Sequence, residues 1–166
     1  MTEIDVKKLS LDVVDLWMKR WLLLTAGTRD DCNMMTVAWG SVGCMWAKPF
    51  AQVVVRPQRH TRGYMDKMDS FTLCAFPEAH RKDLQTMGTT SGRDGDKLAL
   101  TGLTLTESSK VPAPSYKEAD LILECRTIYY QDMDPAGFVD ASIQKNYPAD
   151  DYHRIYYGEI VAAFAD

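Results

Sequence analysis

LILECRTIYY, residues 121–130, puts Leu121, Leu123, Cys125, Thr127 and Tyr129 at every second position, with Glu124 and Arg126 between them. Side chains of a strand point alternately to its two faces, so this spacing predicts a strand with one face on a core. HRIYYGEIVAAF (153–164) is β-branched and aromatic and reads as a late strand, with Gly158 marking a bulge or a close approach. WLLLT (21–25), AQVVV (51–55) and FTLCAF (71–76) are shorter runs bounded by Gly, Pro or charge, and read as buried strands. With the uncharged stretch NMMTVAWGSVGCMW (33–46), the chain offers six or more strands.

Helical signals are fewer. LDVVDLWMKR (11–20) reads as a helix capped by Ser10. Thr61 is placed to cap TRGYMDKM, where Tyr64, Met65 and Met68 share a face. EAHRKDLQTM (78–87) carries Leu84 and Met87 three apart, and Gly88 is placed to stop it. Strands outnumber helices and do not alternate with them, which argues against a doubly wound parallel sheet. A closed or nearly closed antiparallel barrel with outer helices fits better. ESSKVPAPSYKEAD (107–120) reads as a surface connection between strands, and residues 131–151 as an acidic excursion before the last one.

A chain of 166 residues suits a single domain, residues 1–166, with a real core. The net charge of -4 and a pI near 5.4 argue against general nucleic-acid binding. No apolar run approaches the ~20 residues a membrane-spanning helix needs, and the N-terminus lacks the pattern of a signal peptide. The expected location is therefore the cytoplasm. Cys32, Cys44, Cys74 and Cys125 are scattered, as are His60, His80 and His153, so neither a metal site nor a compact disulfide framework is expected.

Three segments carry ligand-binding chemistry. VRPQRHTRG (55–63) concentrates Arg56, Arg59 and Arg62 around a helix start, a phosphate-binding pattern, although the same residues also suit a solvated turn. GTTSGRDGDK (88–97) is a Gly-rich loop able to wrap an anion with backbone N–H groups, but it is neither a Walker A loop nor an EF-hand. In 33–46, Met35, Trp39 and Trp46 offer an apolar bed, and Asn33, Thr36 and Ser41 offer polar groups for a flat heteroaromatic ligand. A core strand with buried tryptophans is the competing reading of that stretch. His153 and Glu159 are acid–base candidates by residue type only.

These segments, in this order, resemble the flavin reductase-like family of FMN-binding split barrels, which includes flavoredoxin. The matching features are LLLTAG (22–27), NMMTVAWGS (33–41), MWAKP (45–49), VRPQRHT (55–61), FTL (71–73), SGRDGDK (91–97), LECR (123–126) and YHRIYYGEI (152–160). Two local departures are Cys44, where the family pattern favours an aliphatic residue, and His60, where it favours an aromatic.

The resemblance implies a mainly β fold, a six-stranded antiparallel split barrel with a few flanking helices, forming a homodimer with FMN at the subunit interface. It implies hydride transfer from NAD(P)H to the flavin, and from there to a flavin, another small molecule or a redox protein. By position, Asn33, Met34, Met35, Thr36 and Ser41 border the flavin ring and ribityl chain. Arg56, Arg59 and Thr61 bind the ribityl phosphate, and Ser91 and Gly92 close over the flavin. His153 and Tyr156 stand on the nicotinamide side. Such a protein needs little acid–base machinery, because hydride chemistry belongs to the cofactor. A non-catalytic FMN electron carrier is the alternative. Haem or pyridoxal phosphate fits less well, for want of a placed axial His or a Schiff-base Lys.

Overall fold

The computed structural model describes all of residues 1–166. Ten strands follow one another: β1 (Thr2–Ile4), β2 (Leu22–Gly27), β3 (Cys32–Val37), β4 (Gly40–Met45), β5 (Lys48–Val55), β6 (Ser70–Ala75), β7 (Leu105–Thr106), β8 (Ser115–Tyr116), β9 (Leu121–Asp132) and β10 (Arg154–Ala165). Three helices stand outside them: α1 (Val13–Asp15), continued as a wider π-helical turn over Leu16–Arg20, α2 (His60–Lys67) and α3 (Arg81–Thr89). The main sheet runs β3-β2-β6-β9-β10-β5-β4, with β1 added to the far end of β10. Every pairing is antiparallel. This is the split-barrel arrangement: the sheet ends at β3 and β4 with no ladder closing it, and β3 and β5 line one cleft. No helix is long and apolar enough to cross a membrane.

Strand alternation divides the core in two. On β2, Leu22, Leu24 and Ala26 face the barrel interior with Val53, Val55, Phe71, Leu73, Cys125 and Tyr156. Leu23, one position out of phase, faces a second cluster with Met34, Cys74, Leu84, Met87, Tyr116 and Ile122. Burial on both faces explains why β2 and β6 read as continuous apolar runs.

The same two-sided burial corrects the reading of residues 121–130. Glu124 is not on a solvated face but is 1% exposed. Residues 107–120 are correspondingly not a simple surface connection. They cross the outer face of the sheet, with Ala113, Ser115 and Tyr116 buried. The Ser109 and Lys110 backbone amides donate to the Glu124 carboxylate at 2.7 and 2.6 Å. The Tyr116 hydroxyl shares a hydrogen bond of 2.9 Å with Thr25. A buried carboxylate is tolerable only with such donors.

The stretch 33–46 is two strands, β3 and β4, joined through Ala38 and Trp39. Gly158 fulfils both of its expectations: the β9–β10 register shifts beside it, and an added Cβ would lie 2.5 Å from Phe71 Cζ. The helix boundaries move. Asp12, not Ser10, caps α1 by accepting from Asp15 N. α2 begins at His60, which places Thr61 inside the helix rather than at its cap. α3 runs through Gly88 to Thr89. Cys74 and Cys125 are buried, Cys32 is half-buried and Cys44 exposed. Burial pushes the thiols of Cys32 and Cys74 up, to about 11 and about 12, so both stay protonated.

Candidate functional site

The split in the barrel is a cleft. Met35, Thr36 and Val37 of β3 form one wall with Ala38 and Trp39, Val54 and Arg56 at the end of β5 form the other, and His153 enters from the start of β10. Its volume is about 210 Å³. A second pocket of about 240 Å³ lies beside it, lined by Asn33, Arg59, Thr61, Ser91, Gly92 and Lys97 among others. Each alone is smaller than the roughly 300 Å³ at the lower end of ligand sites. They share Met35 and Arg59, and joined they pass that limit.

The second pocket is built for an anion. α2 carries no side-chain cap, and its first residues, His60 and Thr61, line the pocket, so the helix N-terminus faces it. Asn33 Nδ2 donates to Thr61 Oγ1 at 2.7 Å, which ties β3 to the helix start. Gly92 comes so close that an added Cβ would lie 2.0 Å from Asn33 Oδ1. The Lys97 ammonium, 5% exposed, donates to the carbonyls of Met87 and Thr90 at the end of α3, at 3.0 and 3.2 Å. Burial, reinforced by the nearby Arg59 charge, lowers its pKa to about 8. The Arg59 guanidinium has one bond within the protein, to Gly88 O at 3.2 Å, and its remaining donors are free.

Arg56 is differently committed. It pairs with Asp151 at 2.6 Å, donates to Asn146 O at 2.7 Å and covers the Tyr147 ring at 5.1 Å. Hydrogen bonds from Arg56 and then Gln58 hold the Asp151 carboxyl below its usual range. Arg56 therefore lines the ring-sized cleft rather than the anion pocket, where the sequence placed it with Arg59 and Thr61. His153, 7% exposed, is pushed down to about 4, first by burial and then by Arg56, so its imidazole is neutral at pH 7. Trp39 tilts against it with ring centroids 5.5 Å apart.

Of the residues singled out from sequence, Asn33, Met35, Thr36, Arg56, Arg59, Thr61, Ser91, Gly92 and His153 come together in the two pockets. Trp46, Arg62 and Glu159 lie outside both, Trp46 exposed, Arg62 paired with Asp66 at 3.0 Å and Glu159 with Lys48 at 2.7 Å. Three of the residues placed by the resemblance also stand apart. Met34 alternates to the other face of β3 and packs in the outer core. Ser41 faces Gln52 on β5, with its hydroxyl 2.8 Å from Oε1. Tyr156 is 1% exposed in the barrel core, and its hydroxyl donates to Asp66. Burial and that carboxylate raise its pKa.

Lys97 and Tyr147 were not singled out. Lys97 closes the Gly-rich loop, a segment whose sequence speaks for backbone donors rather than for one buried ammonium. Tyr147 sits in the acidic excursion, which has no periodicity to mark a buried aromatic. No group of three or more His, Cys, Asp or Glu is placed to hold a metal ion.

Comparison with known proteins places this geometry. An uncharacterised protein from Archaeoglobus fulgidus is 31% identical over 113 residues, covering 68% of this chain but 63% of its own length, under two thirds of the relative. An FMN-binding domain of a flavin reductases-like enzyme from Shewanella baltica superposes with a TM-score of 0.72 at 21% identity, covering 99% of this chain and 76% of that one. A flavoredoxin from Methanosarcina acetivorans gives 0.69 at 23% identity, covering 96% and 74%. At such identities these structures establish the fold. A family model described as the flavin reductase like domain matches residues 19–166, nearly the whole of the chain, and the chain belongs to that flavin reductase-like family.

Proposed function

We propose that this protein is an FMN-dependent oxidoreductase that takes hydride from NAD(P)H and passes electrons to a flavin, another small molecule or a redox protein. The observation that carries the reading is the joined pair of pockets, one cationic at a helix start, the other with an apolar wall of Met35, Val37, Ala38, Trp39 and Val54. That pairing suits a ligand with a phosphate at one end and a ring system at the other. The residues present fit FMN: Arg59, Lys97, Thr61, Ser91 and the α2 amides take the phosphate, and Met35, Val37, Ala38 and Val54 bed the ring. The close approach of Gly92 to Asn33 leaves no room for a side chain at position 92 in the wall of the anion pocket.

Bound flavin supplies hydride-accepting chemistry that no side chain of the chain offers. The protein's own part is binding, orientation and exclusion of water. Arg56 is held by Asp151 and Asn146, so its guanidinium is fixed in orientation beside the ring cleft, with the Asp151 carboxylate offsetting much of its charge. His153 presents a neutral imidazole, so it adds no further cation to Arg56 and Arg59 where an uncharged nicotinamide would approach.

A homodimer with flavin at the interface is part of the proposal. Its support is an exposed aromatic pair on the sheet: Trp46, 57% exposed, packs edge-on against Tyr129, 42% exposed, at 5.8 Å. Exposed apolar surface of that kind suits an association face.

The test is a visible spectrum of the purified, FMN-loaded protein without oxygen, before and after NADH or NADPH. Bleaching of the flavin bands within seconds is the expected result. Bands that persist with both nucleotides would convert the reading to an electron carrier, and failure to bind FMN would overturn it.

A further inference from the structure

His153 enters the cleft with one ring nitrogen engaged and the other free. The Tyr147 hydroxyl lies 2.8 Å from His153 Nδ1 and 3.2 Å from Met133 Sδ. Tyr147 is 2% exposed and His153 7%, so water does not compete for these contacts. The hydroxyl has one proton for two neighbours. An imidazole nitrogen is a far better acceptor than a thioether, so the proton goes to Nδ1. A neutral ring that accepts at Nδ1 carries its own proton on Nε2. That nitrogen has no partner within the protein and is not sealed from the cleft that the ring lines.

We propose that Tyr147 is a positioning residue that fixes His153 as the Nε2–H tautomer, making it an uncharged hydrogen-bond donor to a carbonyl or ring-nitrogen acceptor in the cleft. The proposal rests on reading the cleft as a ligand site. The surroundings hold Tyr147 for this task. Phe138 stacks on its ring at 5.9 Å, Tyr152 tilts against it at 5.0 Å, and Arg56 covers it. Met133 N donates to His153 O at 2.9 Å, which pins the histidine backbone. The charged groups around the imidazole are Arg56, Arg59 and Asp151. Their balance and its burial keep the ring neutral, the condition under which the tautomer matters.

The opposite assignment is concrete: the hydroxyl proton on sulfur, Nδ1–H donating to the phenol oxygen, and Nε2 a bare acceptor. Long-range ¹H–¹⁵N correlation spectra of the full chain at pH 7 separate the two, because protonated and bare ring nitrogens resonate far apart. The expected spectrum has His153 protonated at Nε2. Tyr147→Phe is expected to relax this single tautomer to the mixture that a free imidazole shows, and Met133→Leu to leave it intact. A wild-type ring protonated at Nδ1, or a Tyr147→Phe spectrum like that of wild type, would overturn the proposal. So would a change of tautomer in Met133→Leu.

These spectra need no flavin, so they stand even if FMN does not bind. With FMN bound, Tyr147→Phe is expected to slow anaerobic reduction by NAD(P)H about tenfold, the worth of one buried hydrogen bond, while FMN affinity stays within about twofold. His153→Gln keeps an N–H donor near the Nε2 position. In that background Tyr147→Phe is expected to have no further effect on the rate. A further loss there would make Tyr147 merely structural and overturn the proposal.

Discussion

Lys97 and Arg59 share one pocket but are held in different ways. Arg59 is largely uncommitted, whereas Arg56 already has a carboxylate and a carbonyl. Arg59→Ala is therefore expected to weaken FMN binding by ~1.5–3 kcal/mol, the range for a charge-assisted contact, and by more than Arg56→Ala does. Equal losses by fluorescence titration would contradict that ranking. Lys97 adds a pH dependence. With its pKa near 8, it loses its charge as pH rises through that value, so affinity for the FMN phosphate should fall between pH 7 and 9.5. Titrations of Lys97→Met across the same range should show that fall flattened. The sequence displayed the cationic cluster at 55–63, because arginines at a helix start are a local pattern. It did not display Lys97, whose role comes from being folded back onto the carbonyls of Met87 and Thr90.

Among the elements, the β4–β5 hairpin shows most clearly where local rules are bent. Its two turn residues, Trp46 and Ala47, have φ of 53° and 57°, the left-handed conformation that Asn-Gly ordinarily supplies. Each such residue costs roughly 1–2 kcal/mol relative to glycine. Ala47→Gly is expected to raise the unfolding free energy by about 1 kcal/mol, seen as a higher urea midpoint at unchanged slope. No gain would mean that the turn relaxes in solution. Nothing in MWAKP announces a tight turn, so the sequence showed no sign that β4 and β5 pair as a hairpin. The alternating pattern of β9 and the bulge at Gly158 were legible, because both are properties of a single strand. The covering of Glu124 by residues 107–120 was not, since two prolines and polar flanks describe a loop equally well on or off a surface.

For the molecule as a whole, sequence indicated a barrel of about six strands but not the order in which they pair. Pairing of β2 with β6, or of β10 with β5, joins segments far apart in the chain and leaves no local trace. Global stability should carry the mark of His153. Its folded pKa, about 4, is below the ordinary 6.5, so between these values the unfolded chain binds more protons than the folded one. The stabilisation is fully present above pH 6.5 and is lost as pH falls to 4, about 3 kcal/mol by the size of the shift. Denaturant titrations from pH 7 to 4 should show this decline, and His153→Gln should make it shallower. An identical decline in the variant would assign the acid sensitivity to other groups.

Strand β10 lies between β9 and β5 and also receives β1, so three partners depend on an element later in the chain than all of them. During synthesis the β2–β3 and β4–β5 hairpins emerge with their partners, but β5 and β9 wait with unpaired edges until residues 154–165 leave the ribosome. Unpaired strand edges are templates for association with other chains. Yield of soluble protein should therefore depend on how quickly the last strand is delivered, and truncation within β10 should cost more than its length suggests.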